Sequence, residues 1–468
     1  MSDVEYVSTR GEAPSLGFCD ALLAGLARDG GLYVPREWPQ MSKKAIRSLR
    51  GKSYEEVAFE VLLPFTNGEI EHDTFRAMID EAYSTFKHPA VAPLVQTGPN
   101  SFVLELFHGT TLAFKDVAMQ LIARLMDHVL EKRGERATIV GATSGDTGGA
   151  AIDAFAGRAR TDIFILFPHG KVSPVQQRQM TSSKDENVHA IAVEGNFDDC
   201  QNLVKAMFND VPFRDRVGLS GVNSINWARI MAQVVYYFTS AVALGAPDRK
   251  VSFTVPTGNF GDIFAGYVAK KMGLPIDKLV IATNDNDILA RTLKTGRYEM
   301  KGVSATTSPS MDIQISSNFE RLLFEAYGRD ASAIRSSMEG LKQSGAFEIK
   351  PEALKFIRKD FRAGRATQKE VAKTIRAVLD ETGYLLDPHT AVGVHVASKF
   401  EKPQSPMVVL ATAHPAKFPA AVKSASGIDP ALPAWLADLM DREERFEVLP
   451  AELKAIESFV GKQARAVR

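Results

Sequence analysis

The chain has little cysteine, no net charge and no long hydrophobic run, and each absence excludes a class of protein. Among its 468 residues only Cys19 and Cys200 are cysteines, which excludes a disulfide scaffold and fits a reducing compartment. The 56 basic residues equal the 56 acidic ones, so we expect no nucleic-acid partner and no general attraction to membranes. No apolar run approaches the ~20 residues that span a bilayer, and residues 1–6 lack a signal-peptide pattern. We therefore expect a cytoplasmic protein.

The order of hydrophobic patterns predicts a helical N-terminal region followed by alternating strands and helices. Residues 53–63 have a helical pattern, and the prolines between 89 and 99 indicate a boundary. Beyond it, short apolar runs predict strands at 137–141, 163–167, 188–193, 251–255, 279–282 and 407–411. This alternation predicts parallel sheets, whose ligands lie at the carboxyl ends of the strands.

Two loops of small residues each lie between a predicted strand and a predicted helix. They are ATSGDTGG, residues 142–149, and PTGNFGD, residues 256–262. Backbone amides and the positive end of a helix can bind an anion at such a position. The second loop matches neither the GxxxxGK[ST] nor the GxGxxG nucleotide pattern. Because an ordinary tight turn also uses glycine, the loops alone leave both interpretations open.

A lysine with apolar neighbours precedes both loops. Lys115 lies in HGTTLAFKD, residues 108–116. A pyridoxal phosphate enzyme requires one lysine for the Schiff base, a loop for the cofactor phosphate and a loop for the amino-acid substrate. Most single lysines are solvated surface charges, so Lys115 needs support from its neighbours.

That support comes from five segments that, in this order along the chain, resemble the threonine synthase family. STRG (8–11) with GLARDGGLYVP (25–35) resembles its N-terminal domain, and HGTTLAFKD resembles its cofactor-lysine segment. ATSGDTG is similar to its substrate loop, TGNFGD to its cofactor-phosphate loop, and ATAHPAKF (411–418) to its C-terminal signature. One departure is Thr110, where the family pattern usually has proline; it removes stiffness but no chemical group.

The resemblance implies the tryptophan synthase β-like fold, also called fold type II of the pyridoxal phosphate enzymes. We expect two parallel-sheet α/β domains with the cofactor between them, and a mainly helical N-terminal domain. The expected boundaries are residues 1–95 for the N-terminal domain, 96–245 for a small domain and 246–468 for a large domain.

The resemblance also implies the reaction, which converts O-phospho-L-homoserine and water into L-threonine and phosphate. Lys115 would hold pyridoxal 5'-phosphate and then move protons at substrate Cα and Cβ, which requires a pKa well below ~10.4. Thr412 would face the pyridine nitrogen. The residues expected around the cofactor phosphate are Gly258, Asn259, Phe260, Gly261 and Asp262. No metal ligand is expected.

The same resemblance implies that the substrate binds to the first loop. The residues expected to contact it are Ser144, Gly145, Asp146 and Thr147. The substrate phosphate needs donors of its own, and NSINWAR (223–229) places amides and an arginine close together. We expect Asn226 and Arg229 to bind it, since arginine suits bidentate phosphate binding. A solvated Arg229 remains an alternative, and Lys171 with Ser173 is a weaker second option. His414 is either a site residue or a histidine satisfied by backbone groups.

Two other functions stay open at this point. The same fold hosts dehydratases and a phospholyase, which would release α-ketobutyrate. A catalytically silent protein could instead keep the loops for a phosphorylated ligand, although an intact Lys115 and Thr412 argue against it. The sequence leaves a monomer and a homodimer equally open.

Overall fold

The N-terminal region combines helices with a small sheet in the computed structural model, which describes residues 4–143, 145–402 and 404–466. A helical region was expected; the two short strands were not, because three residues are too few to show an alternating pattern. These two strands, β1 (Tyr6–Ser8) and β2 (Tyr33–Pro35), pair antiparallel. The elements are β1 (Tyr6–Ser8), α1 (Phe18–Ala24), β2 (Tyr33–Pro35), α2 (Lys43–Arg47), α3 (Tyr54–Thr66) and α4 (His72–Tyr83).

The middle of the chain alternates strands with helices. Its elements are β3 (Leu94–Gln96), β4 (Ser101–Glu105), α5 (Lys115–Arg133), β5 (Ala137–Ala142), α6 (Asp146–Phe155), β6 (Thr161–Pro168), α7 (Pro174–Thr181), β7 (Val188–Glu194), α8 (Phe197–Asn209), α9 (Val211–Arg216), β8 (Leu219–Ser220) and α10 (Trp227–Ala243).

The last part continues the alternation. Its elements are β9 (Val251–Pro256), α11 (Gly261–Lys271), β10 (Ile276–Thr283), α12 (Ile288–Thr295), β11 (Arg297–Glu299), α13 (Phe319–Ala326), α14 (Ala331–Ser344), β12 (Ala346–Glu348), α15 (Pro351–Asp360), β13 (Phe361–Arg365), α16 (Gln368–Thr382), α17 (Pro388–Ala397), β14 (Met407–Ala411), α18 (Pro419–Ser426), β15 (Glu447–Pro450) and α19 (Leu453–Gln463).

Two mainly parallel sheets organise these elements, as predicted. The larger has the strand order β13-β10-β9-β14-β4-β3, with only β3 antiparallel to its neighbour, and the smaller has the order β15-β7-β6-β5-β8. Every residue of β6 and of β9 is buried. Strands covered by helices on both faces are buried along their whole length in this way, and β6 accordingly carries a continuous apolar run from 163 to 167.

Two strands pair in a different sheet from the one that the expected domain boundaries imply. β4 pairs with β14 in the larger sheet, although residues 96–245 were expected to form the small domain. β15 pairs with β7 in the smaller sheet, and α19 then packs on α8. Both exchanges join elements that are more than 200 residues apart, which no local pattern reveals.

Helix α10 runs through the centre of the molecule. It contacts α11, α3 and α5, and almost all of its 17 residues are buried. A helix that is apolar on all faces is a core helix. Arg229 lies on this helix and is 4% exposed. Burying its guanidinium costs desolvation free energy, which a partner or a ligand must offset.

Candidate active site

Lys115 begins helix α5 and is buried, with its side chain 10% exposed. Its Nζ lies 3.4 Å from Oδ2 of Asp146 and 5.1 Å from the centre of the Phe114 ring. Burial is the main cause that lowers the pKa of Lys115; Asp146 opposes it, while the charges of Lys417 and Arg229 lower the pKa further. The direction is the expected one, and a lowered pKa favours the free amine that a Schiff base requires.

Asp146, at the start of α6, is the centre of a polar cluster. Its Oδ1 accepts hydrogen bonds from Gln176 Nε2 at 2.9 Å and lies 3.0 Å from Nζ of Lys417. Its Oδ2 accepts from Lys115 and, at 3.2 Å, from Oγ of Ser310. Burial alone would raise the pKa of Asp146, but Lys417 and Lys115 hold the pKa well below its usual range. Asp146 is thus a carboxylate that orients the Lys115 amine.

The loop before Asp146 is fixed by Thr143 and by a glycine. The Thr143 hydroxyl accepts hydrogen bonds from the N–H groups of Gly145 and Gly148 at 2.9 and 3.0 Å. Gly145 has φ +142°, and a Cβ there would lie 2.3 Å from the side chain of Gln176, so only glycine fits. Thr147 is half-buried in the first turn of α6. Ser144, also expected at the substrate, lies outside the described residues.

The second loop presents a row of backbone donors. Within the described part of the chain, none of the N–H groups of residues 258–262 has a protein acceptor. They precede or begin helix α11, whose positive end adds to their attraction for an anion. Phe260 and Asp262 are buried and Gly258 and Gly261 are half-buried, and amides without an acceptor at such positions are costly unless a ligand accepts from them. This group of donors fits a phosphate.

The conformation of this phosphate loop is enforced from both sides. Phe260 has φ +65°, a strained value for a side chain of its size, and its ring packs between Phe319 and Phe361. A Cβ on Gly258 would lie 2.8 Å from the backbone oxygen of Ser310. Ser310 also bonds Asp146, so the phosphate loop and the Lys115 cluster share a neighbour.

Asn318 ties the phosphate loop to the NSINWAR segment. Its amide nitrogen donates to the backbone oxygens of Asn259 and Ser224, both at 3.0 Å. The side chain of Asn259 itself is exposed and forms no hydrogen bond within the described residues. It is therefore available to a ligand.

The side chain of Asp262 departs from the expectation that it meets the cofactor phosphate. Its Oδ1 accepts hydrogen bonds from the hydroxyls of Tyr236 and Tyr237 on α10, because the first turn of α11 turns this residue toward that helix. Burial raises the pKa of Asp262 to about 7. Only its backbone N–H remains in the row of donors.

Thr412 lies beside the lysine segment, directly after strand β14. Its backbone oxygen accepts from the N–H of Phe114 at 2.9 Å, and its hydroxyl has no hydrogen-bond partner among the residues described. His414, two residues on, accepts the N–H of Ala416 at Nδ1, and burial lowers the pKa of His414 to about 4. These contacts support the backbone-satisfied alternative for His414.

Arg229 is buried without a carboxylate partner in the part of the chain that the structure describes. One Nη donates weakly to the backbone oxygen of Val222 at 3.4 Å, and Nε has no partner. Burial lowers the pKa of Arg229 to about 10. The alternative that Arg229 is a solvated helix residue is wrong, and its free donors fit an anionic ligand.

Asn226 and the second phosphate option have other contacts. Asn226 caps α10 through its Oδ1, and its Nδ2 donates to the backbone oxygen of Leu22, so its amide serves the fold. The expected contact of Asn226 with the substrate stays a prediction. These two hydrogen bonds argue against it, because they already use the amide group. Lys171 is exposed and bonds the oxygen of Gly195, and Ser173 caps α7.

The site therefore combines a buried lysine with a lowered pKa, a row of amides at a helix start that have no acceptor among the described residues, and two buried lysines around the Asp146 carboxylate. These features fit pyridoxal phosphate, because they supply an amine for its aldehyde and donors for its phosphate. The fold and the site define the class as pyridoxal-phosphate-dependent enzymes. A family model described as "Pyridoxal-phosphate dependent enzyme" matches residues 87–412.

Two further family models narrow the class. "Threonine synthase N terminus" matches residues 5–83, and "Threonine synthase, C-terminal" matches residues 390–460. A threonine synthase of Pseudomonas aeruginosa is 54% identical over 459 residues, which are 98% of each chain. The chain belongs to the threonine synthase family.

Solved structures agree with this assignment. A pyridoxal-phosphate-bound threonine synthase from Brucella melitensis has 71% identity and a TM-score of 0.97, covering 99% of this chain and 100% of its own. Yeast threonine synthase has 40% identity and a TM-score of 0.94, covering 99% of both chains. The expected fold type II architecture is confirmed. No helix in the described ranges is long and apolar enough to cross a membrane.

Sequence reasoning missed three residues of the Asp146 cluster, namely Lys417, Ser310 and Gln176. Lys417 was visible inside the C-terminal signature, where a lone lysine among apolar residues could have indicated a buried charge. Ser310 and Gln176 carry no comparable signal, because their contacts with Asp146 depend on the tertiary fold.

Proposed function

We propose that the protein converts O-phospho-L-homoserine and water into L-threonine and phosphate, with Lys115 as the catalytic residue. The observation that carries this proposal is the presence in one core of a buried amine at Lys115, whose pKa burial lowers, and a buried guanidinium at Arg229 that has no carboxylate partner among the described residues. An amine alone would serve many pyridoxal enzymes. A second free cation in the same core suits a substrate that brings a phosphate of its own.

The cofactor would be held at three points. Lys115 would bind its aldehyde as a Schiff base, the amides of residues 258–262 and the side chain of Asn259 would hold its phosphate, and Thr412 would face its pyridine nitrogen. A hydroxyl at Thr412 leaves that nitrogen largely unprotonated, whereas an aspartate would protonate it. When bound, the cofactor supplies the electron sink for the bonds at the substrate α-carbon.

The substrate would be held by its two anionic ends. Gly145, Asp146 and Thr147 would surround the carboxylate end, with the backbone N–H groups of Asp146 and Thr147 as donors, and Arg229 would bind the phosphate on Cγ. With the substrate amine in its place, the released amine of Lys115 would take the protons from Cα and Cβ as phosphate leaves Cγ. It would then return one proton to Cγ, which becomes the methyl group, and one to Cα after water adds at Cβ. Burial excludes bulk water from these proton transfers.

Product analysis tests this proposal. The purified protein with pyridoxal phosphate should convert O-phospho-L-homoserine into L-threonine and phosphate in a 1:1 ratio, and Lys115→Ala should abolish both products. α-Ketobutyrate as the main product would instead identify a phospholyase. The absence of any turnover in a protein that retains its cofactor would favour a silent binding protein.

The remaining expectations are a cytoplasmic location, a small molecule as the only partner, and a monomer or homodimer. They rest on composition and family resemblance, and sedimentation analysis distinguishes the two oligomeric states.

A further inference from the structure

Lys417 is a fully buried lysine with no role in the reaction as proposed above. Its relative exposure is 0%, and it ends the short helical turn Pro415–Lys417 after strand β14. Nζ donates to the backbone oxygen of Thr111 at 2.6 Å and to Oε1 of Gln179 at 3.1 Å, and lies 3.0 Å from Oδ1 of Asp146. One ammonium group therefore joins the lysine segment, helix α7 and the substrate loop.

Packing alone does not require a charge at this position. Thr111 and Gln179 offer neutral oxygens, which a neutral donor could satisfy at a much smaller desolvation cost. Asp146 is the partner that needs a cation, since an unpaired buried carboxylate is far costlier than an unpaired neutral group. Lys417 is accordingly the counter-charge of Asp146.

Asp146 has two cationic neighbours, and only one is permanent in the proposed reaction. Lys115 and Lys417 approach different oxygens of Asp146, at 3.4 and 3.0 Å. The amine of Lys115 would be bonded to the cofactor at one stage of the reaction and free at another, so its contact with Asp146 would change. Lys417 takes no part in this exchange and would keep its contact with Asp146.

We propose that Lys417 is a positioning residue for this reaction: it keeps the Asp146 carboxylate charged and in place, so that Lys115 can release its proton and bond the cofactor. This inference rests on the proposed function. Without Lys417, Asp146 would pair with Lys115 alone and hold that amine in its protonated form. Cofactor capture would then become slow near neutral pH.

Other charged groups face the same cluster and set the background for a pH measurement. Arg229 lowers the pKa of Lys115, and His389 lowers the pKa of Asp146. Asp116, whose pKa burial raises to about 7, lies close enough to Lys417 to feel its charge. A change in pH therefore acts on several groups, and only the difference between variants isolates Lys417.

The test measures how fast the cofactor-free protein bonds pyridoxal phosphate at Lys115. Samples are quenched with borohydride between pH 6 and 10, and the reduced adduct is quantified on the peptide that contains Lys115. Lys417→Gln removes the charge but keeps a donor, and Lys417→Met removes both. Lys423→Met is the matched control, because Lys423 is an exposed lysine on the following helix.

We expect both Lys417 variants to capture the cofactor about 3- to 100-fold more slowly at pH 7, the range for coupled groups in contact. The difference should vanish at high pH, where Lys115 loses its proton without help. Lys423→Met should match the unaltered protein. In an Asp146→Asn background, Lys417→Gln should change the rate less than it does in the unaltered protein, because the pairing with Asp146 is already absent and only the direct repulsion between Lys417 and Lys115 remains to be lost.

Two results would overturn the inference. One is a wild-type rate and pH profile in Lys417→Gln; the other is an equal slowing at every pH, which indicates a packing defect. If the unaltered protein carries its adduct on another lysine, the proposed function fails instead.

Discussion

Replacement of Arg229 by methionine should stabilise the cofactor-free protein while it disables the enzyme. Burial lowers the pKa of Arg229 from 12.5 to about 10, so the folded state disfavours its charged form by about 3 kcal/mol. Because the folded pKa is depressed, this cost applies at all pH values below about 10. The substitution removes this cost, but it also leaves the Val222 oxygen without its hydrogen bond, which offsets about 1–3 kcal/mol of the stabilisation. We expect a net stabilisation of about 0–2 kcal/mol.

Arg321 is the matched control, since it is buried as completely and the pKa of Arg321 is lowered to about 9 by burial. Unlike Arg229, it donates to the backbone oxygens of Tyr33 and Ile225 and to the side chain of Asn318. Arg321→Met would also remove a charge cost, about 5 kcal/mol by the same reckoning, but it would leave three acceptors unsatisfied, at about 1–3 kcal/mol each. We therefore expect Arg321→Met to be less stable than Arg229→Met.

Urea denaturation of both variants, in buffer free of phosphate and other polyvalent anions, measures the two free energies of unfolding. Steady-state kinetics then show the functional effect: Arg229→Met should raise KM for O-phosphohomoserine by about 30-fold or more, with cofactor binding unchanged. If Arg229→Met is destabilised as much as Arg321→Met, the guanidinium is a structural group and the argument for a substrate-phosphate site is wrong.

Two further predictions concern the phosphate loop. Asn259→Ala should weaken the binding of pyridoxal phosphate about ten- to hundred-fold, because a donor to a charged phosphate contributes about 1.5–3 kcal/mol; unchanged equilibrium dialysis would remove Asn259 from the site. Asp262 has a folded pKa of about 7 against 3.8, so the wild type should lose stability as pH rises between these values. The Asp262→Asn variant should not show this pH-dependent loss in the free energy of unfolding, which in the wild type should reach up to about 4 kcal/mol at pH 8. Parallel curves of stability against pH for the two proteins would contradict this prediction.

Much of the fold could be predicted because its strands are buried on both faces. The apolar runs at 251–255 and 407–411 correspond to β9 and β14, and the glycine loops follow their strands as expected. What the sequence could not show is which sheet each strand joins. β4 and β15 cross to the other sheet through contacts that only the tertiary fold provides.

For the site, too, the loops could be predicted from local sequence, whereas the contacts between distant residues could not. Gly145 and Gly258 lie in glycine loops between a strand and a helix, a position at which an anion site is possible. The orientation of Asp262 depends on two tyrosines of α10, and the counter-charge of Asp146 comes from Lys417, 271 residues further along the chain. Motifs therefore identified the loops, while the direction of each side chain needed the structure.

The central claim is that Lys115 carries the cofactor in an enzyme that makes threonine. Borohydride reduction of the purified protein with pyridoxal phosphate, followed by peptide mapping, tests it most directly. We expect a single reduced pyridoxyl adduct on the peptide that contains Lys115, and no adduct in Lys115→Ala. An adduct on another lysine, such as Lys417, or an undiminished adduct in Lys115→Ala, would contradict the account.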